Sequence, residues 1–274
     1  MSRRGAARVF TLPAAAALAL AGWATVAEPN VLAVREVAVT PPRWDGPTLR
    51  VALVSDIHVG APWADLDRLQ EIVDHTNAAQ PDLVLLLGDY DINEVIGGKH
   101  VNEAAWSALL GQLRAPLGTY AVLGNHDWTN NEPEIRSQLT KNGIRVLENE
   151  SVALSYADKP FYLSGIGDSI THHDNVGQAL GGIPANADIL ALTHAPDVFD
   201  GLDPRVDLLV AGHTHGGQVD LPVLGTLAWK APYVYGAYAS GDQRLHVTSG
   251  LGMSVLPVRF GVLPEIVVLT VRPG

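Results

Sequence analysis

Three short patches hold most of the residues with chemistry in them: Asp56-Ile57-His58, Gly124-Asn125-His126-Asp127 and Gly212-His213-Thr214-His215. Two more have the same form, Gly88-Asp89 and Thr193-His194. Each follows a run of apolar residues: Val51–Val54, Tyr120–Leu123, Val206–Ala211, Leu83–Leu87 and Ile189–Leu192. Carboxylate, carboxamide and imidazole groups that converge in space bind divalent metal. A mixed oxygen and nitrogen donor set without thiolate suits Mn, Fe, Zn or Ni. The chain has no cysteine, which also excludes disulfides and a cysteine nucleophile.

Bringing five such patches together is a task for a sheet. A buried strand that ends in Asp, Asn or His delivers that side chain to its C-terminal edge, where open α/β folds keep their active sites. The spacing supports this. Leu49–Ser55, Asp82–Leu87 and Thr119–Leu123 read as strands. Between and after them, Asp65–Asn77, Val101–Leu113 and Glu132–Asn142 read as helices. Leu66, Leu69, Ile72 and Val73 recur at helical spacing, and so do Trp106, Leu109, Leu110 and Leu113. Pro133 opens the third helix and Gly143 ends it. This alternation predicts a parallel sheet with helices outside. Alternating Val31–Val39 reads as an edge strand. The second half carries short strands at Ile144–Leu147, Ser151–Tyr156, Phe161–Gly165, Asp188–Thr193, Val206–Ala211, Arg244–Thr248 and Glu265–Val271, with few helical patterns. It reads as a second sheet packed on the first, with no linker that divides the body.

At 274 residues, 47% apolar and 17% charged, the chain has ample material for a core. The formal net charge is −11. Arg3, Arg4 and Arg8 stand in the first 27 residues without an acid, so the body is more acidic still. Such a surface is a poor general partner for nucleic acid. Val9–Ala27 is uncharged and rich in Ala and Leu. A positive start followed by this run reads as an export signal, of twin-arginine type, or as a membrane anchor. Either places residues 28–274, the expected catalytic domain, outside the cytoplasm.

Taken in order, the five patches resemble those of the calcineurin-like metallophosphoesterases, over about residues 48–272. Leu147-Glu148-Asn149-Glu150, Gly212–Gln218 and Ser249–Phe260 are similar to the small, often membrane-associated bacterial phosphodiesterases of that family, among them a UDP-2,3-diacylglucosamine pyrophosphatase branch. The resemblance implies an α/β four-layer α-β-β-α sandwich, the metallophosphatase fold, with two mixed sheets flanked by helices. It implies two divalent metal ions. Asp56, His58 and His215 would hold the first, Asn125, His194 and His213 the second, and Asp89 would bridge them. A hydroxide between the ions would attack a phosphodiester or pyrophosphate bond. His126 would protonate the leaving group, with Asp127 orienting it.

Other residues are weaker candidates. Asp91 lies two positions beyond Asp89. His172 and His173 fall in a loop placed to rim the pocket. The apolar and aromatic stretch Leu221–Leu227, Trp229, Pro232, Tyr233, Tyr235 and Tyr238 follows the last motif, where it would line a groove for a lipid-linked phosphoester or rest on a membrane surface. The other classes considered are a non-catalytic metal-binding scaffold and a protein phosphatase.

Overall fold

The strands that end in the five patches belong to two sheets that share one core. The computed structural model describes residues 14–92, 95–221, 225–226 and 231–274. Arg3, Arg4, Arg8, Leu227 and Trp229 lie outside the described residues. Residues 14–22 form a helix, α1, that continues as a short π-helical turn over Trp23–Ala27. No helix among the described residues is long and apolar enough to cross a membrane.

The first sheet takes β1 (Ala33–Val39), β2 (Leu49–Val54), β3 (Leu83–Leu86), β4 (Thr119–Ala121) and β5 (Arg145–Val146), with the last strand of the chain, β14 (Glu265–Val271), inserted between β1 and β2. Strands β2 to β5 run parallel, and β14 is antiparallel to β2. The second sheet takes β6 (Glu150–Tyr156), β7 (Lys159–Gly165), β8 (Ile189–Leu192) and β9 (Leu208–Ala211). A small ribbon follows, β10 (Asp220–Leu221) with β11 (Gly225–Thr226). The second sheet is then completed by β12 (Gly236–Ser240) and β13 (Gln243–Val247). Here β7, β8, β9 and β13 are parallel, with antiparallel β6 and β12 at the edges. Both sheets are mixed, as expected. Strand β12, Gly-Ala-Tyr-Ala-Ser, is built of small residues without an apolar period, so nothing in its sequence announces a strand.

The layers follow from which face each side chain takes. The central strands show no alternation of apolar and polar residues because both of their faces are covered. Val51, Leu53, Leu83, Leu85, Val267 and Leu269 meet Phe161, Leu163, Leu190, Leu192, Leu208 and Val210 between the sheets. On the outer face of the first sheet, Ala52, Val54, Val84 and Leu86 pack against α2 (Leu66–Ala78), α3 (Glu103–Leu110) and α5 (Glu132–Lys141) through Leu69, Ile72, Val73, Trp106, Leu110, Ile135 and Leu139. The outer face of the second sheet is covered by α6 (Val176–Ala179), by the 3₁₀ turn Pro196–Gly201 and by loops. Two helices start near the expected places because their caps do: Asp65 accepts from the Arg68 amide and Asn102 from the Ala104 amide. The result is two mixed sheets flanked by helical layers. The C-terminal ends of β2, β3 and β4 meet those of β8 and β9 at one rim.

Candidate metal centre

All five patches converge on that rim. After β2 the chain leaves extended geometry, and the amides of Asp56 and His58 donate to the carbonyls of Gly88 and Asp89 at 3.0 and 3.1 Å. On the second sheet, the Gly212 amide donates to the His194 carbonyl at 2.9 Å. The patches are thus fastened to one another through backbone. Gly124 and Gly212 are required there for closeness: a Cβ would lie 2.2 Å from Asp89 Oδ1 at Gly124, and 2.0 Å from Ser55 Oγ at Gly212. Asp56, His58, Asp89, His213 and His215 all take positive φ, between 47° and 69°. Left-handed backbone is costly for residues with a Cβ, and its clustering marks positions held for function rather than for stability.

The side chains form two groups, and a third links them through His58 and Asp89. Asp56, His58 and His215 offer ligand atoms within 4.8 Å of one another. So do Asp89, His194 and His213, and also His58, Asp89 and His126. His58 Nε2 and His215 Nε2 stand 3.2 Å apart. His213 Nδ1 is 3.2 Å and Asn125 Oδ1 is 3.1 Å from His194 Nε2. Asp89 joins the groups: its Oδ2 lies 3.3 Å from His194 Nε2, 3.7 Å from His58 Nε2 and 3.9 Å from His126 Nε2. Its Oδ1 accepts the His126 amide at 2.9 Å. Every residue assigned from the resemblance is therefore at one place.

Several observations bear on whether these residues fit metal ions. Burial pushes the imidazoles of His58 and His213 down to about 4 and about 3, and that of His215 well below its usual range. These rings are neutral at pH 7, the form that ligates metal. Burial raises the Asp56 carboxyl to about 6, as for an anion short of a counterion. Burial also acts on Asp89, but His194, His58 and His126 together outweigh it and hold that carboxyl well below the carboxylate range. His194 Nδ1 lies 2.7 Å from the Leu87 carbonyl, which places a proton there and turns Nε2 to Asp89. Against the lowering by burial, Asp89 and Asp56 hold this imidazole well above its usual range. His58 Nδ1 is buried without a partner. Ring nitrogens facing one another at 3.2 Å, beside buried carboxylates, fit two divalent cations.

One expected contact is not made. Asp127 does not touch the His126 ring, whose Nδ1 has no partner. Its two carboxylate oxygens accept instead from the amides of Gly124, Asp89 and Tyr90 at 2.8 to 2.9 Å. The reason is local. Asn125–Asn130 forms a six-residue helix, α4, in which Asp127 is the third residue and reaches back to the Gly124 amide, as in a capping box. Asp127 ties α4 to the Asp89 loop through backbone, so it positions both residues without orienting the imidazole.

Other candidates sort themselves. His173 stacks on Trp128, ring centroids 3.6 Å apart, and so holds the 168–173 loop against α4; Ile170 of that loop reaches the cavity. The Asp91 carboxylate lies near His100 and Glu103, while its backbone faces the His58 imidazole. Tyr233 packs against Phe199 and Tyr238, while Pro232 and Tyr233 line a small hollow beside His213. Three further residues at the site fall within the segments that carry the subfamily resemblance, which assigns them no role. Arg259 is fully buried, donates to the carbonyls of Gly252, Ser249 and Val262, and stands 3.5 Å from His215 Nδ1. Glu148 accepts the Leu123 amide just before the Asn125 patch, and burial pushes its carboxyl up to about 7. Gln218 clamps the 254–256 loop opposite the site. Their segments are visible in the sequence as part of the resemblance, but their individual roles are not.

Comparison with known proteins agrees with this geometry. Residues 49–217 match the family described as Calcineurin-like phosphoesterase. The metallophosphoesterase YkuE of Bacillus subtilis is 30% identical over 261 residues, 92% of this chain and 89% of that protein. The phosphodiesterase YaeI of Escherichia coli is 31% identical over 229 residues, 80% of this chain and 81% of that one. The NAD nucleotidase of Haemophilus influenzae shares the fold, with a TM-score of 0.50 at 15% identity, over 76% of this chain and 46% of that one. With its Asp and His clusters at the rim of two mixed sheets, the chain belongs to the calcineurin-like metallophosphoesterases, hydrolases of phosphoric ester bonds.

Proposed function

We propose that this protein is a phosphodiesterase that works with two divalent metal ions. The observation that carries the reading is Asp89, a single buried carboxylate whose Oδ2 faces imidazoles of both clusters. Asp56, His58 and His215 would hold one ion, and Asn125, His194 and His213 the other, with Asp89 common to both. Nitrogen and oxygen donors without sulfur favour Mn, Fe, Zn or Ni for the pair. When bound, such a pair lowers the pKa of water towards ~7 and draws charge from phosphoryl oxygens.

The chain's own residues do the rest. His126 lines the cavity beside the shared carboxylate, its ring edge-on to His58 with centroids 5.1 Å apart. From there it gives a proton to the departing oxygen. Asp127, through the Gly124, Asp89 and Tyr90 amides, keeps His126 and Asp89 at a fixed separation. Diester preference is supported by the relative named a phosphodiesterase and by charge. The described residues lining the cavity include no Lys or Arg. A monoester dianion brings one more negative charge than a diester and finds no additional cation there. Cleavage of a UDP-2,3-diacylglucosamine-type pyrophosphate is the narrower form of this reading.

The test is a paired assay of manganese-loaded protein with bis(4-nitrophenyl) phosphate and 4-nitrophenyl phosphate. We expect kcat/KM at least about tenfold higher for the diester, a difference of ~1.4 kcal/mol. Preference for the monoester refutes the diesterase assignment.

A further inference from the structure

The cavity that contains Asp89, Asn125, His126, His213 and His215 does not end with them. It encloses about 600 Å³, and its far wall is made by Ile170, Val219, Val255, Leu256 and Val258. A chemical contrast is built into one space: acids and imidazoles at the floor, branched hydrocarbon at the wall. Val255 and Leu256 are 60% and 51% exposed, among the most exposed large apolar side chains of the body.

The wall is held there against local preference. Val255 takes φ of 61°. For a β-branched residue this is a steric outlier, and such a conformation persists only where the surroundings impose it. Here they do. Gln218 itself sits at φ 58° three residues beyond His215, and its side-chain amide donates to the Ser254 and Leu256 carbonyls at 3.2 and 3.0 Å. Its side-chain oxygen accepts the Ser254 amide at 2.8 Å. The Ile96 amide donates to the Val255 carbonyl at 3.1 Å. The segment that supplies His213 and His215 thus grips the 254–256 loop through Gln218. The loop is not there to fill a core, because its apolar tips point into open space.

Resting on the phosphodiesterase reading, we propose that the Val255–Leu256 loop and its neighbours form a subsite for a hydrocarbon chain, so that the substrate is a phosphodiester carrying an alkyl or acyl substituent. The phosphate at the floor fixes the occupant as part of the same molecule. The wall offers no side-chain hydrogen-bond donor or acceptor at Ile170, Val219, Val255, Leu256 or Val258, and of the polar residues beside it Thr214 and Gln218 are engaged within the protein. Apart from the Ser254 hydroxyl, a sugar or base placed there would therefore lose its water without replacement. A hydrocarbon chain gains from the same burial. Of the apolar stretch expected at 221–238, Pro232 and Tyr233 line a hollow beside His213, while residues 222–224 and 227–230 lie outside the described residues. Residues 254–258, held by Gln218, add a second apolar wall.

The experiment uses the manganese-loaded full chain and two soluble esters, 4-nitrophenyl methyl phosphate and 4-nitrophenyl dodecyl phosphate, each below its micellar concentration. We expect kcat/KM for the dodecyl ester to be at least about tenfold higher, mainly through KM, which burial of about two methylenes would account for. In the double variant V255S/L256S the ratio should fall towards one. Dodecylphosphonate, which is not hydrolysed, should bind at least about tenfold more tightly than methylphosphonate by calorimetry, and the double variant should lose that margin. Equal rates for the two esters, a chain preference that appears only above the micellar concentration, or a ratio unmoved by V255S/L256S would overturn the chain subsite. If neither ester is cleaved but dodecylphosphonate binds as expected, the subsite stands and the diesterase reading fails.

Discussion

Replacing Asp89 with asparagine should reduce bound metal from about two ions per chain to one or none and lower kcat/KM by about 10³ or more. Asp89 Oδ2 is the atom that both clusters share, 3.3 Å from His194 Nε2 and 3.7 Å from His58 Nε2. An amide has nearly the same shape, and its oxygen can keep the bond that the His126 amide now donates. That leaves an NH₂ group, a donor without charge, facing imidazole nitrogens and the ions. Two cations held a few ångströms apart without an anion between them repel strongly. Loss of several kcal/mol of charge stabilisation corresponds to the rate effect, at about 1.36 kcal/mol for each tenfold. Metal content by plasma mass spectrometry, beside circular dichroism to verify folding, checks this. A folded Asp89→Asn protein that retains both ions would remove the bridging role.

His126→Ala should act differently. Its ring is 3.9 Å from the shared carboxylate and lines the cavity, while its amide, which Ala keeps, is what holds Asp89. Metal content should therefore stay at the wild-type level, and turnover should fall by roughly 10²–10⁴-fold, the usual worth of a positioned acid. The size should depend on the leaving group. A 4-nitrophenolate departs without a proton, so the loss should be small for it and large for an alkyl alcohol. An equal loss for both leaving groups would mean that His126 serves the metals or the fold, and unchanged activity would remove it from the reaction.

The site is legible in the sequence because its parts are local. Each ligand closes a buried strand, and a strand of Leu, Val and Ala that stops at Asp or His is visible without knowing what pairs with it. Most strands are legible for the same reason, but Ile144–Leu147 and Glu265–Val271 read as strands of the second sheet and instead pair in the first, because strand pairing is set by contacts distant in sequence. The caps at Asp65 and Asn102 put two helix starts near the expected places. What stays hidden depends on contacts distant in sequence or on geometry without a period. Helix α4 is six polar or aromatic residues long and carries no apolar stripe, so Asp127 reads as a partner for its neighbour His126 instead of a clamp on the Asp89 loop. Arg259 and Gln218 stand in segments that the resemblance marks, but their places depend on carbonyls in the same returning loop, a contact that spacing does not disclose. The residues after His215 read as an apolar wall. Pro232 and Tyr233 do line a hollow beside His213, Tyr233 and Tyr238 also pack on the second sheet, and the wall at 254–258 comes from a loop that its sequence does not mark as lining the site.

That these buried acids and imidazoles hold two metal ions is the central claim, and the metal content of the purified wild-type protein tests it most directly. Close to two ions per chain are expected in total from Mn, Fe, Zn and Ni, with activity lost on chelation and restored when one of these metals is returned. A folded, active protein that contains no transition metal would contradict it.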